Sequence, residues 1–354
     1  MTDRTATRPP SATLALPGAC PPPDGSPDAG VPWHYGDPHR EQRSLAAGAG
    51  AVDLSHRGVL TVTGPDRAGW LHSLTTQALE TWGAGDSALA LILSPHGHVE
   101  HELHLVDDGQ TTWITVEPGT APALAAYLDS MRFLMRVEVA DVTDAWGVVA
   151  EPVDGPDPDR VTWLVPPDYA GTGSVDAGRD RGGDASRYVP LRPAAFPGRE
   201  VLVPRAAVAD RVAGSGAPAG TWAREALRVA AAVPRLGFET DHRTLPHEVG
   251  WVGPAVHLAK GCYRGQEAVA RVHNLGRPPR RLVLLHLDGS TGELPGHADP
   301  VLLDGREVGW VGSVARHHEL GPIATAVVRR ATPTDAVLVA GGVPAGQEVV
   351  VAAG

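Results

Sequence analysis

The segment Lys260-Gly261-Cys262-Tyr263-Arg264-Gly265-Gln266-Glu267 sets a thiol, two cations and two glycines within one short run. Cysteine is scarce here: 2 residues in 354, the other being Cys20 in a Pro/Gly-rich leader. A thiol between Lys260 and Arg264 stands in an electropositive setting, which favours the thiolate, the form that attacks electrophiles and binds metals. Gly261 and Gly265 remove side chains where the backbone must bend or approach something closely. Gln266 and Glu267 are read as architectural, with Glu267 and Arg271 spaced for an i,i+4 pair on a helix. The plain alternative is a small apolar cysteine in a turn.

A second run, His96-Gly97-His98-Val99-Glu100-His101-Glu102-Leu103-His104, alternates along a strand. His98, Glu100, Glu102 and His104 share one face, and Val99, His101, Leu103 and Leu105 the other. The apolar face is expected to look inward, carrying His101 with it, while the polar face is expected to be solvated. A metal site on His98, Glu100 and His104 is disfavoured by strand geometry and by the lack of a cysteine, so no stably bound metal is expected. Trp251, just before the cysteine segment, offers a flat face to a heterocycle, or is an ordinary core tryptophan. Arg264, Arg271, Arg277, Arg280 and Arg281 suit an anionic tail or acidic partner. For Arg280 and Arg281 a scattered surface position is the favoured reading.

Positioning these groups takes a full-sized chain. At 354 residues, 42% hydrophobic and 20% charged, it can bury a full core and hold more than one domain. A net charge of −11 argues against a general nucleic-acid or membrane surface. No apolar run approaches the length of a membrane-spanning helix. Two cysteines give no disulfide framework and suit a reducing cytoplasm. Residues 1–43 are rich in Pro, Gly, Ala and Ser, lack a signal-peptide pattern and are expected to be a disordered leader.

From residue 44 the periodicity changes. Val59 to Thr63 is expected as a strand, and Trp70, Leu71 and Leu74 mark a short helix. Ala88 to Leu93, His98 to Val106 and Thr111 to Val116 form an antiparallel meander joined by short turns. Residues 120–134 carry a helical period. About 151–187 lies a loop-rich insertion around the apolar run Val161 to Val165. Glu200 to Val203 is a strand, Arg205 to Val212 a short helix, and Thr221 caps a helix bearing Trp222, Ala226, Val229 and Val233. From 280 to 354, short β-rich segments between Gly, Asp and Pro turns indicate a small antiparallel barrel or sandwich. The prolines after Arg277 stiffen the boundary with the 44–279 body.

The cysteine segment resembles the signature of the YgfZ family of folate-binding proteins, implicated in iron–sulfur cluster assembly and related in fold to the T-protein (aminomethyltransferase) of glycine cleavage. The resemblance extends to Phe238-Glu239-Thr240-Asp241-His242-Arg243-Thr244-Leu245-Pro246-His247-Glu248, to Asp53-Leu54-Ser55-His56-Arg57-Gly58 and to Thr63-Gly64-Pro65-Asp66. It spans roughly residues 44 to 320. It implies an α+β, aminomethyltransferase-like folate-binding fold, with two ferredoxin-like sections around a central pocket and a C-terminal β-barrel.

The same resemblance implies tetrahydrofolate or a relative as a non-covalent ligand. Cys262 then acts as reactive thiol or transient ligand, and His101, Glu102, Arg228, Glu248, Trp251, Tyr263 and Arg264 serve the pocket. Lys260, Gly261, Gly265, Gln266, Glu267 and Arg271 complete the motif. Two departures stand out. Aminomethyltransferases carry adjacent aspartates where this chain has His101 and Glu102, and the first is catalytic there. They also carry an Arg-x-Glu pattern that grips the pterin, where Arg228 is here followed by Val229 and Ala230. Either Glu225, Glu239 or Glu248 supplies the missing acceptor, or folate affinity is weakened.

The expectation is therefore a cytoplasmic, folate-binding protein of [4Fe–4S] protein assembly or repair, leaning away from enzymatic turnover. Its partners are a folate-type molecule and iron–sulfur assembly or client proteins, without nucleic acid or membrane. A tetrahydrofolate-dependent aminomethyl- or methyltransferase, and a non-catalytic scaffold docking through the cysteine loop, are the alternatives.

Overall fold

The computed structural model describes residues 9–169, 194–275, 278–290 and 292–352. Two five-stranded sheets and one barrel make up the architecture. The first sheet has the order β3-β4-β5-β2-β6, from β2 (Gly58–Thr63), β3 (Ser87–Leu93), β4 (Val99–Asp107), β5 (Thr111–Val116) and β6 (Glu138–Asp141). The expected meander is its β3-β4-β5 half, with antiparallel register such as Leu91 opposite Glu102 and Leu105 opposite Ile114. Helices α2 (Arg67–Leu74) and α3 (Ala121–Ser130) cover one face, burying Trp70, Leu71, Leu124 and Leu128 against Leu60, Leu103 and Leu105.

The second sheet, β10-β1-β7-β9-β8, comprises β1 (Ala51–Asp53), β7 (Trp146–Glu151), β8 (Thr162–Leu164), β9 (Arg199–Pro204) and β10 (Pro218–Ala219). Around it lie α1 (Pro38–Ala46), α4 (Val208–Gly214) and α5 (Thr221–Ala230). The α5 stripe of Ala226, Val229 and Ala230 enters a core shared with Leu89, Leu91, Trp251 and the barrel residues Leu282 and Leu284. A helix buried on that side must face its charged residues, Arg224, Glu225 and Arg228, elsewhere in the interior.

The barrel closes as β11-β14-β13-β12-β15-β16: β11 (Arg280–Leu287), β12 (Pro300–Leu303), β13 (Arg306–His317), β14 (Gly321–Arg329), β15 (Leu338–Ala340) and β16 (Val343–Val349). Alternation along β11 sends Val283 and Leu285 into the barrel and Leu282 and Leu284 to the shared core. Of the expected boundary run, Arg277 lies outside the described residues. So does part of the 151–187 insertion, of which residues up to 169 form loops, β8 and one short turn of helix.

Several expectations need correcting. Residues 9–43 are not a disordered leader; single polar anchors fix them to the body. Thr13 Oγ1 donates to Asp53 (2.5 Å), Asp28 pairs with Arg235 (2.7 Å), and Glu41 accepts from the amides of Tyr35 (2.7 Å) and Gly220 (2.9 Å). Trp33 stacks on Trp222 with ring centres 4.5 Å apart. The helix expected over 120–134 stops at Ser130, and Phe133 turns outward at φ 45°. Helix α5 is capped by Gly220, with Thr221 its first residue. On β4 the polar face is not solvated. Glu100 is exposed, but Glu102 and His104 are buried because β9 and α5 lie over them.

Candidate functional site

The polar face of β4 opens onto a nest of buried charge. Arg57, at the turn into β2, donates to both carboxylate oxygens of Glu200 on β9 (3.1 and 3.2 Å) and to Glu117 after β5 (3.1 Å). Arg224 adds a bond to Glu200 (2.8 Å), and His104 Nδ1 lies 2.8 Å from the other oxygen of Glu200. The His104 ring stacks on Trp163 at 3.7 Å. Burial alone would raise the Glu200 carboxyl; Arg57, His104 and Arg224 outweigh it and hold it well below the usual carboxylate range. Burial also works to lower His104, but Glu200 and Glu102 raise it above its ordinary value.

The network continues beneath α5. Arg235 bridges Glu117 (2.7 Å) and Asp28 (2.7 Å), with Glu225 at 3.3 Å. Arg228 grips Glu225 (2.8 Å), donates to Ser313 Oγ (2.6 Å) and to the Val233 carbonyl (2.6 Å), and lies 3.5 Å from Glu239. Burial raises Glu225, while Arg228 and Arg235 together bring it down to about 2. The free space left among Arg57, Glu102, His104, Glu117, Arg224 and Arg235 is about 30 Å³, room for about one water.

A larger cavity of about 480 Å³ lies on the other side of Arg235, between the N-terminal segment, α5 and the barrel. Asp28, Trp33, Trp222, Glu225, Phe238, His297, Ser313 and Arg316 are in its wall. A third, apolar pocket of about 170 Å³ lies near Leu45, Phe196 and Leu227.

The cysteine segment lies on the outside, leading into α6 (Gln266–Leu275), and Cys262 is exposed. Lys260 turns inward and donates to the carbonyls of His72 and Thr75 at the end of α2 (2.6 Å for Thr75), the usual place for a cation at a helix C-terminus. Burial brings its ammonium down to about 8. Tyr263 is buried, its ring 5.0 Å from the Lys260 Nζ. Gly265 holds φ 83°, and a Cβ there would sit 2.5 Å from the Ser94 carbonyl oxygen. The glycine is required because the loop packs directly on the β3–β4 turn. Gly261 carries no such constraint, since a Cβ would find nothing nearer than His72 Nε2 at 3.8 Å.

The residues expected to serve one pocket are dispersed. His101 is in the wall of none of these three cavities. It is half-buried against Tyr127 (6.2 Å between rings), and burial lowers its imidazole below the ordinary value. Arg264 pairs with Glu100 (3.0 Å) and lies over the same Tyr127 ring, so β4 and the cysteine loop meet on the outer flank. The two cations flanking Cys262 thus engage other partners. Trp251 is fully buried in the core, and Glu248 is buried holding Arg280 (2.8 Å). Arg280 and Arg281 are not surface charges: the first also binds Asp241 (2.8 Å), the second is fully buried. Glu267 and Arg271 are exposed on α6, and Gln266 Nε2 donates to the Lys260 carbonyl (3.4 Å).

Glu102 and Arg228 do reach the interior, Arg228 with only 3% exposure. Sequence reasoning missed Asp28, Arg57, Glu117, Glu200, Arg224 and Arg235, and placed His104 on a solvated face. The available signals were the Glu102/His104 alternation and the Arg224–Glu225–Arg228 spacing on α5. Among the described residues no group of three or more His, Cys, Asp or Glu is arranged to hold a metal. No helix is long and apolar enough to cross a membrane among those residues.

Two packed sheets closed by a C-terminal barrel around a polar centre define a class of fold. The family model of the GCVT N-terminal domain matches residues 30–162. The chain is 30% identical over 309 residues to an aminomethyltransferase of Synechococcus sp., covering 82% of this chain and 81% of that protein. It is 29% identical to an aminomethyltransferase of Rubrobacter xylanophilus, covering 82% and 78%. The glycine cleavage system aminomethyltransferase T from Bartonella henselae superposes with a TM-score of 0.72 at 18% identity, covering 96% of this chain and 94% of that one. The chain belongs to the aminomethyltransferase (GCVT) family, and its fold is the expected aminomethyltransferase-like one with a closed barrel.

A folate-type ligand can be tested against these residues. Ala230 is buried among apolar side chains and offers no acceptor, and the gap beside Glu102 is far too small for a pterin. The 480 Å³ cavity falls within the usual range of about 300–1,000 Å³ for small-molecule sites and combines aromatic faces with carboxylates and arginines. The fit is to that cavity and not to the central gap.

Proposed function

We propose that this chain is a cytoplasmic, folate-binding, thiol-presenting member of its family, of the YgfZ type, acting in the assembly or repair of [4Fe–4S] proteins. The observation that carries the reading is the exposed Cys262 on a loop pinned from inside by Lys260, Tyr263 and Gly265. Such a loop keeps a sulfur in reach of a partner without folding it away. One thiolate cannot hold a cluster, which commonly takes four cysteine ligands. Cys262 is therefore assigned a transient bond to a cluster carried by a client protein, whose own ligands or a small thiol complete the set. The bound folate-type molecule supplies one-carbon chemistry or an allosteric contact from the cavity behind α5.

The test is complementation of a deletion strain with wild-type chain or Cys262→Ala, reading the activities of [4Fe–4S] enzymes. Loss of activity in the deletion, restored by wild type and not by the variant, supports the proposal. Unchanged activities in the deletion remove the assembly role, and full rescue by the variant removes the thiol and leaves a scaffold.

A second reading, tetrahydrofolate-dependent aminomethyl transfer, is favoured by Glu102, a carboxylate on the inner face of β4 one residue past His101, and by relatives that carry that name. It expects purified protein to convert tetrahydrofolate and an aminomethyl donor into methylenetetrahydrofolate, ammonia and the freed carrier, with loss on Glu102→Gln. No turnover with wild type ends that reading.

A further inference from the structure

Resting on the thiol reading above, we propose that Met131-Arg132-Phe133-Leu134-Met135 is a docking tip for the [4Fe–4S] client proteins that reach Cys262. Among the described residues, eight large apolar side chains are exposed, and four of them fall on this tip: Met131 (41%), Phe133 (92%), Leu134 (84%) and Met135 (40%). The chain has 3 methionines, Met1 and the two on this tip. Thioethers on unbranched, flexible chains suit a surface that must fit more than one partner.

The tip is held out and not frayed. Trp70 Nε1 donates to the Met131 carbonyl (3.1 Å). At the other end Arg136 is fixed to Asp66 through its amide (2.8 Å) and its guanidinium (2.6 and 3.0 Å). Between these anchors Phe133 takes φ 45°, a conformation that residues other than Gly, Asn and Asp seldom adopt. The strain is kept although the ring it carries is 92% exposed, which marks presentation and not packing as its use.

The thiol loop shares this flank. Arg264, two residues after Cys262, lies over the Tyr127 ring (5.7 Å), and Tyr127 precedes Met131 by about one turn of α3. On the other side, Lys260 is bonded to the Thr75 carbonyl at the end of α2. Thr75 is five residues, about 7–8 Å along the helix, from the Trp70 that holds the tip. A partner seated on the tip therefore lies beside Cys262.

Area and charge select the occupant. The four side chains expose on the order of 400–500 Å², the size of patches that mark interaction sites and short of the roughly 800 Å² per partner of a stable interface. That suits a transient visit by a client and not a lasting pair of copies. Arg132 pairs with Asp129 (3.1 Å) and Arg136 with Asp66, so the rim carries no excess positive charge for an anionic membrane.

The experiment complements a deletion strain with wild type, Phe133→Asn/Leu134→Ser and Cys262→Ala. Each purified full chain is then tested for binding to the apo form of the [4Fe–4S] dehydratase that loses activity in the deletion. Asn tolerates positive φ, so the double variant is expected to melt no lower than wild type; Leu134→Ser alone carries the test if it melts lower. The double variant is expected to bind the apo-dehydratase at least tenfold more weakly and to restore little of its activity, whereas Cys262→Ala binds normally and restores none. Full binding and full rescue by the double variant overturn the docking tip and leave the thiol role standing. Unchanged dehydratase activities in the deletion overturn both. Wild-type self-association in sedimentation velocity, abolished by the double variant while apo-dehydratase binding is kept, assigns the tip to a second copy and overturns the proposal. Flotation with phosphatidylcholine–phosphatidylglycerol vesicles, lost in the double variant while apo-dehydratase binding is kept, assigns it to a membrane and does the same.

Discussion

The central gap and the cavity beside it are built from the same residue types and share Arg235, yet only one has room. In the gap Glu117 and Glu200 face arginines or His104 at hydrogen-bonding distance, and Glu102 accepts from the Leu236 amide (3.1 Å) with His104 at 3.8 Å, so these groups satisfy one another and close the space. In the cavity wall Glu225 is held by Arg228 and Arg235, and Asp28 by Arg235 and His56, while Trp33, Trp222, Phe238 and residues of β13 line the rest and leave open space between them. Both regions are paired; they differ in whether the surrounding elements leave space beside the charges, about 480 Å³ in one and about 30 Å³ in the other.

That contrast can be broken in order of effect. Glu200→Gln leaves Arg57 and Arg224 short of a counter-charge in the interior and is expected to cost about 3–5 kcal/mol in urea denaturation. A cost below 1 kcal/mol would mean the gap is hydrated and its charges independent. Gly265→Ala forces a side chain into the Ser94 carbonyl at positive φ and should cost well over about 1 kcal/mol. Lys260→Met removes two charge-assisted hydrogen bonds at the end of α2, about 1–3 kcal/mol, and should raise protease cleavage near Cys262. Glu100→Gln breaks a half-exposed pair with Arg264 and should cost less than about 1 kcal/mol.

Acidity sharpens the same comparison. His104 is raised in the folded state, so its contribution is complete below about pH 6.5 and is lost as pH climbs through the raised value. Glu200 and Glu225 are lowered, so theirs is complete above about pH 4.5 and is lost as pH falls through their lowered values. Denaturation across pH 3 to 9 should therefore show two flanks. Glu200→Gln is expected to flatten both, whereas Glu225→Gln should flatten only the acid one.

What the sequence made legible follows how far apart the interacting residues lie. The meander, the barrel and the cysteine loop rest on neighbours, turns and a signature, and they were readable. The interior face of β4 was not, because alternation reveals two faces without saying what covers each. His104 meets Glu200 across 96 residues, and Arg57 meets it across 143. The N-terminal segment misled for a related reason. Pro and Gly signal disorder by composition, while the Asp28–Arg235 contact that orders it spans 207 residues. Trp251 also had no local mark separating a ligand platform from a core residue.

The most direct measurement is a crystal structure of the full chain grown with 5-formyltetrahydrofolate. Ligand density in the cavity of about 480 Å³, between Trp222, Phe238 and Ser313, is the expected result. Density beside Glu102 and Trp163, with the Arg57–Glu200 contacts opened to admit it, would contradict the assignment.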